Sequence, residues 1–183
     1  MKALLNDKDS YGWVSIVIHW FMALAVFGMF VLGVWMVELN YYDVWYHDAP
    51  YIHKSLGMLL FGMLVFRFAW RLLNVRPALM GKVWEKMVAL SVHRLHYVLL
   101  LILFISGYFI PTAEGVGIDV FGWFSIPAIM NFDKTDADLI GLIHRYVAWL
   151  VMVLAGAHAG AAMKHHFIDK DKTLLRMLGI GLK

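Results

Sequence analysis

Between Arg145 and Lys164 runs YVAWLVMVLAGAHAGAAM, a segment without a formal charge. A run of that length and character suits a helix crossing a bilayer. In hydrocarbon every backbone N–H and C=O needs an internal partner, so such a segment has little choice but the helix. Three further apolar stretches obey the same constraint, and the expected helices lie at about 12–38, 50–74, 82–110 and 136–166. Apolar side chains make up 62% of the residues, more than the roughly 45–50% of soluble domains. The expected fold class is therefore an all-α membrane protein, with one four-transmembrane-helix bundle over residues 1–183. The first apolar run is too long for a signal-peptide core and has no small-residue cleavage site after it, so it is expected to stay as a helix.

Punctuation between the runs supports this division. Pro50 suits the first turn of a helix, where its missing N–H costs nothing. Pro77 marks a break, and the third helix is expected to stop at Pro111. A Thr135-x-x-Asp138 pattern is expected to open the fourth. The connection YYDVWYHDAPY carries the Tyr and Trp common at a membrane surface. The longer connection, 112–138, sets Glu114, Asp119, Asp133, Asp136 and Asp138 against Lys134. Its apolar middle, VFGWFSIPAIMNF, suits a segment lying on the membrane or capping a pocket.

Charge sets the expected topology. Most Lys and Arg fall in the N-terminal segment, the helix 2–3 connection and the tail, including Lys2, Lys8, Arg76, Lys82, Lys86, Lys170, Lys172 and Lys183. The other connections and their borders hold Lys54, Lys134 and Arg145. The positive-inside rule then places both termini in the cytoplasm. These cations account for the basic balance, which points to anionic lipid as a partner and not to nucleic acid. The absence of cysteine excludes thiolate-held iron–sulfur clusters, C-x-x-C-H haem attachment and disulfides.

The chemistry lies in the histidines. His158 follows His144 by about four helical turns, so both imidazoles leave one face, roughly 21 Å apart along the axis. Ala148, Val151 and Ala155 lie between them on that face and leave room for something flat. With alternating helix directions, His19 and His158 share the inner depth, and His53 and His144 share the outer one. An imidazole inside a membrane helix is costly and points to function. Each level offers a pair of imidazoles and no thiolate or carboxylate, whereas zinc usually takes three or four protein ligands. Haem brings its own nitrogens and needs only axial ligands, so the expected cofactors are two haem b. Gly28, Gly33, Gly57 and Gly62 would give the first two helices low-profile faces. Arg67 and Arg71, one turn apart near the inner side, suit haem propionates. His93 or His96 remains a rival for the place opposite His158. His165 falls on the His158 face about 10 Å further in, and with His96 it is a candidate for a quinone headgroup site or a proton path.

His19-Trp20, HKSLG at 53–57, HRLHY at 93–97, SGY at 106–108 and HHFIDKDKTLLRM at 165–177, in this order, make the chain resemble the prokaryotic cytochrome b561 family. The resemblance implies a four-helix inner-membrane protein with two b haems, His19 with His158 and His53 with His144. It further implies exchange with ubiquinone near the cytoplasmic haem, where His96 and His165 match positions associated with that region. Superoxide oxidase activity, from superoxide outside to quinone, is known in the family. The acidic connection 112–138 would repel superoxide and suits a basic periplasmic partner instead.

The leading expectation is a dihaem b-type cytochrome carrying electrons between quinone and a periplasmic redox protein. Its rivals are superoxide:ubiquinone oxidoreductase activity by this chain alone, and a haem-bearing anchor subunit of a larger dehydrogenase. A histidine-containing metal transporter is the non-redox alternative, weakened because no carboxylate lies within the helix interiors.

Overall fold

The computed structural model describes residues 4–180. Lys2 and Lys183, which add to the charge bias, lie outside the described residues. The elements are α1 (Trp13–Met36), α2 (Asp48–Leu73), α3 (Val83–Thr112), β1 (Ile118–Val120), β2 (Phe124–Ile126), α4 (Lys134–Phe167) and α5 (Thr173–Met177). The long helices α1 to α4 are each long and apolar enough to cross a membrane.

Helix ends depart from the expected ones for local reasons. Helix α3 passes through Pro111 to Thr112, because a proline in the last turn removes just one backbone bond. The Thr112 hydroxyl donates to the Tyr108 carbonyl at 2.8 Å and closes that turn. The start of α4 is set by Asp133, whose side chain accepts from the Asp136 N–H at 2.9 Å. The Thr135-x-x-Asp138 pattern is therefore not the cap. Pro50 lies in the first turn of α2, which begins at Asp48.

Helix α1 packs on α2, α2 on α3, and α3 on α4. A cluster of Ile18, Met22 and Leu64, with Tyr97 and Phe104 against it, forms the inner core. Elsewhere large apolar groups such as Leu24 and Phe27 face outward, as lipid-facing helices require.

The 112–138 connection holds an antiparallel hairpin, with Val120 opposite Phe124. The turn is made by Phe121 and Gly122, both at positive φ (53° and 70°), the twist that suits a tight hairpin. Its strands, Ile118–Val120 and Phe124–Ile126, are too short to show an alternating pattern in the sequence.

Bonds gather the remaining segments at the opposite end. Ala78 N–H donates to the Lys8 carbonyl at 3.0 Å, Trp20 Nε1 to Met177 O at 2.8 Å, and Arg176 Nη1 to Ala78 O at 2.8 Å. The N-terminal segment, the α2–α3 connection and the tail thus share one end of the bundle.

Candidate functional site

Four histidines form two opposed pairs inside the bundle. His19 of α1 faces His158 of α4 with ring centres 6.3 Å apart and planes crossed at 65°. His53 of α2 faces His144 of α4, also at 6.3 Å, with planes crossed at 75°. The separation is informative. A metal–imidazole bond is about 2.0 Å, and an imidazole nitrogen lies about 1.1 Å from its ring centre, given ring bonds near 1.33 Å. Two such ligands on opposite sides of one metal therefore place their ring centres about 6.2 Å apart. His93 and His96 lie nearer to His158, at 5.3 and 5.6 Å, closer than two rings sharing one iron would stand.

Local structure seats the outer pair. His144 Nδ1 donates to the Leu103 carbonyl at 3.0 Å and lies 3.1 Å from the Ser106 hydroxyl. A carbonyl only accepts, so the proton sits on Nδ1 and the Nε2 lone pair is free for a metal. A Cβ on Gly107 would come 2.9 Å from His144 Cε1, and one on Gly33 3.1 Å from His53 Cε1. These glycines let the imidazoles lie against helix backbone. His53 Nδ1 is buried and has no hydrogen-bond partner among the described residues. Gly28 and Gly62 face open space, as an inserted planar group requires, whereas Gly57 only meets the Met29 methyl.

The inner pair lies among cations. Arg67 Nη2 donates to His19 Nδ1 at 3.0 Å. Arg67 and Arg71 both lie over the Tyr97 ring, at 5.9 and 5.3 Å. No carboxylate within ion-pair distance of either is found among the described residues. Two unpaired guanidiniums converging beside imidazoles form a site for carboxylates. Tyr97 beside both arginines, and Ser106 and Gly107 beside His144, have no signal in the sequence beyond the HRLHY and SGY stretches in which they fall.

His96 and His165 have separate surroundings. His96 bonds through Nδ1 to the Val92 carbonyl at 2.9 Å and packs on His158. His165 turns to the tail, 2.7 Å from Asp171 and 3.0 Å from Asp169. Beside it Lys164 bridges Glu85 and Asp169 at 2.6 Å each. The carboxyls of Glu85 and Asp169 with His165 could hold a cation, but the Lys164 ammonium already meets both carboxylates. Burial pushes the Asp171 carboxyl up, but bonds from Thr173 and His165 outweigh it and hold the group below its ordinary value. His47 and His166 pack on aromatic neighbours, Tyr46 and Phe167.

Opposed imidazoles at two levels of a four-helix membrane bundle suit a class of protein: a membrane electron carrier. Residues 10–179 match the sequence profile of prokaryotic cytochrome b561. The chain is 48% identical over 177 residues to cytochrome b561 homolog 2 of Escherichia coli (strain K12), covering 95% of this chain and 94% of the relative. It is 30% identical over 176 residues to probable superoxide oxidase CybB of Yersinia pestis, covering 92% and 95%. The chain belongs to the prokaryotic cytochrome b561 family and is a multi-pass bacterial membrane protein of electron transfer that binds haem b.

Proposed function

We propose that this chain is a dihaem b-type cytochrome of the bacterial inner membrane, exchanging electrons between ubiquinone or ubiquinol at its inner end and a redox partner at its outer end. The observation that carries the reading is the 6.3 Å ring separation at both levels, close to the spacing one iron between two imidazoles requires. Bound haem would supply a reversible one-electron couple at each level. His19 and His158 would hold the inner haem, and His53 and His144 the outer one. Ligation through His19 Nε2 needs the proton on Nδ1, so Arg67 must release its bond there. Its guanidinium then joins that of Arg71 for the propionates. Quinone exchange belongs at the inner end, with His96 on the haem side and His165, paired with Asp171, on the tail side. The cation-rich end, knitted from the N-terminal segment, the α2–α3 connection and the tail, faces the cytoplasm.

Haem per polypeptide and reduced-minus-oxidised spectra of detergent-solubilised protein test the scheme. Two low-spin b haems are expected, with His158→Ala keeping only the outer one and His93→Ala keeping both. One haem in the unmodified chain, or both retained in His158→Ala, would overturn the assignment.

A second reading, superoxide oxidase, is favoured by the Yersinia pestis relative. It requires superoxide loss coupled to quinone reduction by this chain alone. The carboxylates of the outer end weigh against an anionic substrate.

A further inference from the structure

We propose that the outer hairpin, β1 and β2, is the docking platform for a small basic electron-carrier protein. The inference rests on the outer exchange proposed above and names its partner class and surface.

The hairpin is anchored along its strands and exposed at its tip. Ile118 and Val120 point inward and pack with Tyr108, while Asp119 between them points out. The first strand is tied to the turns that carry the outer histidines. Tyr51 donates to the Asp119 carboxylate at 2.9 Å and Ser55 to the Asp119 carbonyl at 3.3 Å, and these residues flank His53. On α3 the Tyr108 hydroxyl donates to the Pro127 carbonyl at 2.7 Å; Tyr108 directly follows Ser106 and Gly107, which seat His144. A bonded path thus joins the hairpin to both outer imidazoles.

The tip is exposed. Trp123 is 72% exposed and Phe124 49%, with Phe121 wedged between Tyr51 and Trp123. Carboxylates dominate this end of the molecule: Glu38, Asp43, Asp48, Glu114, Asp119, Asp133, Asp136 and Asp138 against Lys54, Lys134 and Arg145. A small apolar contact set among charges of one sign is suited to brief, steered encounters with a partner of the opposite sign. Redox encounters of this kind use small interfaces that release quickly. The partner is a soluble carrier whose exposed redox centre is ringed by Lys or Arg. Each encounter moves one electron: one centre is oxidised and the other reduced by one unit, with no bond made or broken and no proton transferred.

The test uses the haem-loaded chain in lipid nanodiscs, reduced by quinol, mixed in stopped flow with a basic soluble c-type cytochrome and, separately, an acidic one. The basic carrier should react faster. Its rate should fall at least about tenfold as salt shortens the screening length to about 3 Å. Trp123→Ser and Glu114→Lys should each slow it several-fold, with haem content and quinol reduction unchanged. A salt-independent rate, or variants without effect, overturns the proposal. The chain has no cysteine, so Trp123→Cys gives a single labelling site. A fluorophore there should be quenched from water and shielded by the basic carrier. Quenching only from the lipid phase would make the tip a membrane anchor and sink the docking role. Failure of quinol to reduce the unmodified chain would instead overturn the reading on which this inference rests.

Discussion

Gly107→Ala is the sharpest probe of the outer site. In an ordinary helix the change stabilises, by about 0.5–1 kcal/mol, so any loss must come from what the new methyl meets. It would stand 2.9 Å from His144 Cε1 and 3.3 Å from Nδ1, where carbon contacts settle at about 3.5–4.0 Å. The ring cannot withdraw freely, because Nδ1 is held by the Leu103 carbonyl at 3.0 Å. His144 must therefore move by roughly 0.6 Å or more, out of the position in which it faces His53. Disturbing the groups that orient a metal ligand typically costs about 10–100-fold in affinity, or about 1.4–2.8 kcal/mol. Haem titrated into apoprotein, followed by reduced-minus-oxidised spectra, reads this directly. The outer haem should bind about 10–100-fold more weakly and the inner one normally. Gly156→Ala, whose new methyl meets nothing within 4 Å, is the control. Equal outer-haem affinity in Gly107→Ala and Gly156→Ala would refute the steric argument and the place given to His144.

Other expectations concern the inner end. Arg67→Leu removes a cation beside His19, so the inner haem's midpoint potential should fall while the outer one stays; redox titration of the two components checks this. Asp171 is held below its ordinary value, so its stabilising bonds to the tail are fully present above that value and lost as pH falls through the lowered one. Hydrogen exchange of the tail amides should show protection at neutral pH that disappears only below the usual carboxylate range, and Asp171→Asn should lose it at neutral pH.

Four spans follow from the sequence because each span is a local matter: a charge-free run in hydrocarbon must satisfy its own backbone. The spacing of His144 and His158 is legible for the same reason, since one helix fixes both directions. Depth matching also pointed to His19 and His53 as their partners, because helix direction alternates. The rest needed the packed bundle. Distances alone separate His19, at 6.3 Å from His158, from His93 and His96 at 5.3 and 5.6 Å, for all of these histidines lie near one depth. Gly107 backs His144 through an α3–α4 contact, and Tyr97 gathers arginines from α2 onto α3, pairings that no spacing within one helix encodes. His165 shares the His158 face in sequence, but tail carboxylates within hydrogen-bond reach draw its ring away from that pocket. The hairpin is too short to show a period, and only its packing on α2 and α3 makes it a platform. Periodicity and charge thus decide what each segment does against lipid, while side chains from different helices decide what can stand between them.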